Sequence, residues 1–207
     1  MSCVGTVTSL DEHRRARRGH VATARQPART TLFFDLASPY TYLAAERADR
    51  LFARLEWLPA SADMLDGVDL SEQAMRAASE RAALLGLPFV CPDEPPRSVC
   101  GAMRVASLAA ERGRGAAFVL AASRLAFCGG FDIDDPEILA EAAAAAGIGL
   151  REALSAAGDA GRDGGIEEAG RMLLAAGASG LPALRVGRLL FCGEDRLLEA
   201  AAARTAV

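Results

Sequence analysis

The chain reads as an α/β protein whose elements run strand, helix, strand, then a long helical block, then helix, strand, strand and helix. Three observations give that order. A short apolar run, Leu32-Phe-Phe-Asp-Leu36, breaks at Ser38-Pro39 into residues with helical spacing, which marks a strand feeding a helix. Near the C-terminal end, two apolar runs flank Gly187-Arg188, the pattern of a hairpin with a two-residue turn. Between these ends the chain is rich in alanine and leucine and is broken by glycine and proline, as expected of short, closely packed helices.

Each element follows from local chemistry. Residues 32–36 are a continuous apolar run, the signature of a buried strand. Ser38 suits the N-cap of the helix predicted over 39–54, and Pro39 suits its first turn, where a missing N–H costs nothing. Unpaired amides at such a helix start favour an anion. Residues 55–60, with Trp57 as a core residue, complete a βαβ unit, which implies parallel strands. In the helical block, 98–112, 115–127 and 136–146 are the clearest helices, and Asp134 and Asp135 are capping candidates for the last. The acidic run 132–137 is therefore read as a helix start rather than a metal site. A helix from about 165 to 176 precedes strands over 181–186 and 189–192, and a final helix covers 194–203. The division expected is a flexible Arg-rich arm over 1–29, a helical insertion over 62–161, and one domain built from 30–61 and 162–207.

Composition narrows the chemistry. With 207 residues, 51% of them hydrophobic, the chain can bury a substantial core. Six arginines and two acids precede Thr30, leaving 17 basic against 25 acidic residues in the body, a balance that argues against nucleic acid as a partner. All 23 basic residues are arginine, so lysine Schiff-base chemistry and lysine phosphate loops are excluded. Both histidines, His13 and His20, fall in the arm, which removes His-based triads and metal clusters from the body. Five cysteines without a Cys-x-x-Cys pair are a poor framework for disulfides or zinc and are expected to be reduced and mostly buried, Cys100 and Cys192 among them. No apolar run approaches the roughly 20 residues of a membrane span. We expect a cytoplasmic protein with no membrane partner.

Three segments in this order resemble a known family: Phe34-Asp-Leu-Ala-Ser-Pro-Tyr-Thr-Tyr-Leu43, Gly177-Ala-Ser-Gly-Leu-Pro182 and Phe191-Cys-Gly-Glu-Asp-Arg-Leu197. The chain from about Thr30 onward is similar to the group of 2-hydroxychromene-2-carboxylate isomerases and kappa-class glutathione transferases, within the DsbA-like superfamily. The resemblance implies a thioredoxin-like fold, βαβ…αββα, with a large α-helical insertion. Redox relatives carry Cys-x-x-Cys after the first strand, where this chain has Ser38 and Thr41, so disulfide exchange there is unavailable. What the resemblance implies instead is that Ser38 steadies the thiolate of bound glutathione. Lowering a thiol by about two pKa units takes roughly 2.7 kcal/mol, within reach of one charge-assisted hydrogen bond plus a helix N-terminus.

By the same resemblance, Pro182 is a cis-proline that frees the Leu181 backbone to pair with the cysteinyl part of the peptide, while Glu194 and Asp195 hold its γ-glutamyl end. Tyr40 is a candidate to hydrogen-bond a substrate oxygen. The family's lysine for the other end of the peptide is missing, with Arg76 or Arg81 as the substitute, and Ser98 stands for a family asparagine. The function implied is glutathione-dependent cis-trans isomerisation of a small aromatic hydroxychromene-carboxylate-type substrate by a homodimer. Two alternatives stay open, a conjugating glutathione transferase and a non-catalytic thioredoxin-like binding protein. Plainer readings stand beside each residue: Ser38 as a helix cap, Tyr40 and Tyr42 as packing residues, Asp195-Arg196 as a surface pair.

Overall fold

The computed structural model describes residues 29–91 and 99–206. The arm expected over 1–29, apart from Arg29, lies outside these residues, as do Ser98 and Cys3. Strand β1 (Thr30–Phe34) sits inside a four-stranded sheet of order β2-β1-β3-β4, parallel to β2 (Glu56–Pro59) and antiparallel to β3 (Ala183–Val186), with β4 (Leu189–Cys192) outermost. Every residue of β1 is buried, as a strand covered on both faces must be. Leu32 and Phe34 belong to the larger core cluster, whereas Phe33 on the opposite face packs with Ala169 and Leu173. The sheet therefore lies between two helical layers.

Helix α1 (Pro39–Leu51) starts at the expected proline and ends at Leu51, three residues before the predicted boundary, with Phe52 as its C-cap. It buries Tyr42, Leu43 and Ala44 completely, and full burial of such an apolar side chain is worth about 1.5–3 kcal/mol. Trp57 meets Phe34 edge-on at a centroid distance of 6.1 Å, as its place in the core requires. The helical block consists of α2 (Glu72–Leu84), α3 (Cys100–Glu111), α4 (Gly115–Phe127), α5 (Pro136–Ala145) and α6 (Leu150–Ala157). Helix α7 (Asp163–Ala175) then returns the chain to the sheet, and α8 (Leu197–Ala206) closes it after a short 3₁₀ turn over Glu194–Arg196. The order is the βαβ…αββα expected, with the helical insertion after β2.

Two local expectations are corrected. Asp135 caps α5, accepting from the amides of Glu137 and Ile138, but Asp134 turns away and caps α3 through the amides of Ala102 and Gly101, at 2.8 and 3.4 Å. The acidic run thus caps the N-termini of two helices, with Asp132 accepting from the Asp134 amide. The cysteines are not mostly buried: Cys91 and Cys100 are exposed, and Cys128 and Cys192 are half-buried. Composition alone does not reveal which residues a helix turns outward.

Candidate active site

The turn from β1 into α1 is built around Asp35. Its carboxylate accepts from the amides of Ala37 at 2.9 Å and Ala62 at 3.1 Å, and its carbonyl accepts from the Ser38 amide at 3.1 Å and the Thr41 hydroxyl at 2.8 Å. The Leu36 amide donates to Met103 Sδ at 3.4 Å, tying the turn to α3. Burial pushes the Asp35 carboxyl above its ordinary pKa against these stabilising amides. The turn is thereby fixed by groups other than Ser38.

Ser38 is the N-cap residue of α1, yet its side chain makes no capping hydrogen bond. The residue is 2% exposed, and what it exposes lines a cavity, so its hydroxyl stands at the mouth of a helix without closing that helix. Thr41, at the position of the second redox cysteine, is fully buried and spends its hydroxyl on Asp35. Of the two, Ser38 lines a cavity and Thr41 does not.

Two cavities meet at Tyr40 and Leu181. The first, about 440 Å³, is lined by Ser38, Tyr40, Leu181, Ala62, Asp69 of the loop before α2, and Gln73, Ala74 and Ala77 of α2. The second, about 390 Å³, is lined by Tyr40, Leu181, Arg81, Gly193, Glu194 and Asp195. The structure thus brings Ser38, Tyr40, Leu181, Glu194 and Asp195 to one place. Ser98 lies outside the described residues. Arg76 faces away, joined to Glu72 at 3.0 Å on the outer side of α2, so Arg81 is the arginine at the site.

The Leu181-Pro182 peptide bond is cis. Neither the amide nor the carbonyl of Leu181 makes a backbone hydrogen bond among the described residues, and Leu181 lines both cavities. Pro182 is buried behind it, and its carbonyl accepts from the Gly193 amide at 2.8 Å. That bond fixes Gly193, whose φ of +98° suits a residue without a Cβ, and an added Cβ would strike Asp195 Oδ1.

Glu194 and Asp195 have opposite situations. Glu194 is 4% exposed, and its carboxylate is taken by Arg47 and Arg81, each at 2.5 Å, while Arg47 also reaches the Glu194 carbonyl at 3.2 Å. Its side chain holds Arg81 in place, and the Arg81 guanidinium is pushed further up by the carboxylate. Asp195 is exposed on the rim of the second cavity and forms no ion pair or hydrogen bond among the described residues, so its carboxylate is open to a cation. Tyr40 is half-buried, its hydroxyl makes no hydrogen bond among the described residues, and burial, with Glu194 and Asp69 nearby, raises its pKa so that it stays a neutral donor. Tyr42 differs: it is fully buried, donating to the Pro88 carbonyl at 2.8 Å and accepting from Cys128 Sγ at 3.2 Å.

Asp69, Gln73, Arg47 and Asp35 were not singled out by sequence. The local signal for Asp69 was legible, since its carboxylate accepts from the Ser71 amide at 2.9 Å just ahead of the Ser71 cap of α2. Arg47 pairs with a residue 147 positions away, and nothing in its neighbourhood announces that.

With this geometry in view, comparison with known proteins is informative. The sequence pattern of the DsbA-like thioredoxin domain matches residues 30–203. No curated protein matches the sequence. Among solved structures, a 2-hydroxychromene-2-carboxylate isomerase is 19% identical, with a TM-score of 0.70 over 86% of this chain and 95% of that one. A probable DsbA oxidoreductase from Streptomyces coelicolor is 23% identical, with a TM-score of 0.72 over 86% and 89% of the two chains. The cytosolic disulfide reductase DsbM from Pseudomonas aeruginosa, solved with GSH, is 22% identical, with a TM-score of 0.64 over 86% and 96%. These likenesses establish the thioredoxin-like fold.

Proposed function

This chain belongs to the DsbA-like thioredoxin domain family, and from that premise we propose that it is a glutathione-dependent cis-trans isomerase acting on a small aromatic substrate, with chemistry of the hydroxychromene-carboxylate type. The observation that carries the reading is the Ser38 hydroxyl at the start of α1, which makes no hydrogen bond among the described residues and lines one cavity together with Leu181. Such a hydroxyl fits the stabilisation of an extended peptide's thiolate, and a free main chain fits the recognition of its backbone.

Glutathione, when bound, would supply a sulfur nucleophile for reversible addition to the substrate double bond. The residues of this chain perform the rest. Ser38 donates to the sulfur, and the first turn of α1 adds its positive end. The Leu181 amide and carbonyl align the peptide, Asp195 pairs with its ammonium group, and Arg81, held by Glu194, receives a carboxylate. Tyr40, neutral and at the junction of the cavities, donates to a substrate oxygen. We place the protein in the cytoplasm as a homodimer, and no helix among the described residues is long and apolar enough to cross a membrane.

Calorimetry tests the reading directly. Glutathione is expected to bind in the millimolar range or tighter, and no binding would end it. With binding in hand, substrate must isomerise while glutathione is recovered. A glutathione adduct accumulating in proportion to substrate lost would identify a conjugating transferase instead.

A further inference from the structure

One buried carboxylate joins three of the elements that surround the second cavity. Glu194, on the turn between β4 and α8, is 4% exposed, and its two oxygens go to two helices: Oε2 to Arg47 Nη1 of α1 and Oε1 to Arg81 Nε of α2, each at 2.5 Å. Arg47 also donates to the Glu194 carbonyl at 3.2 Å, so a single guanidinium grips both the side chain and the main chain of that turn. It lies seven residues after Tyr40, two helical turns along the same face of α1, and its side chain is 19% exposed. Arg81, at 34% exposure, lines the cavity with Asp195, whereas Arg47 stands behind them.

We propose that Arg47 is a positioning residue for the γ-glutamyl end of glutathione, acting through Glu194 without touching the peptide. The inference rests on the glutathione reading, in which Arg81 and Asp195 meet the carboxylate and the ammonium that a γ-glutamyl group carries on one carbon. Two opposite charges on one carbon require partners held at a fixed separation. Arg47 fixes both partners. By occupying Glu194 Oε2 it confines Arg81 to Oε1, so that Arg81 spends Nε on the turn and keeps its two terminal nitrogens for the peptide. By holding the Glu194 carbonyl it steadies the backbone that bears Asp195. Without Arg47, an almost wholly buried carboxylate keeps a single cation, and pairing with it through both oxygens offsets the lost partner best. Arg81 is then drawn out of the cavity and into the turn.

The test is calorimetry on the full chain with S-methylglutathione and with S-methylcysteinylglycine, which lacks the γ-glutamyl group. Arg47→Gln is expected to weaken S-methylglutathione about fivefold or more, the scale of coupling within one salt-bridge network, and to leave S-methylcysteinylglycine within about twofold. The thiol pKa in the glutathione-saturated complex should stay at its wild-type value, because Ser38 is untouched. A merely structural role would lower both affinities alike or shift the thiol, and either result overturns the proposal, as does an unchanged affinity for S-methylglutathione. If Arg47→Gln does not fold, Arg47→Lys, which keeps a cation at Oε2 and gives up the bond to the carbonyl, should weaken S-methylglutathione selectively by about twofold or more, and no change would overturn the proposal. If the wild type binds neither S-methyl peptide, the glutathione reading fails, and sulfur-free γ-L-glutamylglycine decides the rest. Binding that Arg47→Gln weakens about fivefold then sustains the role of Arg47, and no binding ends it as well.

Discussion

Replacing Ser38 with alanine separates a ligand-directed hydroxyl from a helix cap. A capping serine costs about 1 kcal/mol when lost, because a helix amide loses its partner. Ser38 caps nothing, so Ser38→Ala should change the unfolding free energy by less than about 0.5 kcal/mol, the range of a side chain without protein partners. In the glutathione complex the same change removes a hydrogen bond to a charged acceptor, worth about 1.5–3 kcal/mol. At 1.36 kcal/mol per unit that raises the bound thiol by about one to two pKa units, back toward the ordinary value near 8.5. The assay is the ultraviolet absorbance of thiolate in glutathione-saturated wild type and variant across pH, with thermal melts alongside. An unchanged titration would refute the role given to Ser38. A lowered melting temperature with an unchanged titration would show that it serves the helix after all.

Further expectations concern the scaffold. Glu194→Gln leaves Arg47 and Arg81 facing a neutral amide. Both guanidinium groups are partly hydrated, at 19% and 34% side-chain exposure, so the cost should be about 2 kcal/mol, seen as a melting temperature roughly 4–8 °C lower. Gly170→Ala in α7 would gain about 1 kcal/mol in an open helix. Here a Cβ would fall 2.6 Å from the Ser61 carbonyl and 2.8 Å from Met64 Cβ, so urea unfolding should instead show a loss of about 1–3 kcal/mol. Asp35 holds its proton to higher pH in the folded chain than its ordinary value of 3.8, because it is buried. The folded state then binds more protons, its stability falls as pH rises from 3.8 through the raised pKa, and the cost is complete above it. Asp35→Asn should remove that slope, and parallel stability curves for the two proteins would contradict the burial argument. Asp134→Ala should cost about 1 kcal/mol by chemical denaturation through the uncapping of α3, and no change would show the cap to be idle.

The parts of the fold legible in sequence are those specified by neighbours along the chain. Ser38-Pro39 announces the start of α1, and Gly187-Arg188 announces the hairpin, because caps and turns are local chemistry. Strand limits are less local. Thr30 and Thr31 are polar and lie outside the apolar run that predicts the strand, yet both are buried because pairing with Val186 and Arg185 extends β1 to them. The site divides in the same way. Ser38, Leu181 and Asp195 sit in recognisable segments, whereas the clamp on Glu194 joins residues 113 and 147 positions apart, which no local pattern encodes. Asp134 shows the limit from the other side: its residue type marked it as a cap, but only the packing of α3 beside it determines which helix it caps.

Helix α2 furnishes a wall to each cavity, Gln73, Ala74 and Ala77 to one and Arg81, a turn further along, to the other. Its Arg81 is also bolted to the Glu194 turn. A guest that shoulders α2 aside in either chamber must therefore alter the width of its neighbour. If the proposed peptide and aromatic guest each shift α2 on entry, their binding is linked equally in both directions: whatever the peptide does to the affinity for the guest, the guest does to the affinity for the peptide.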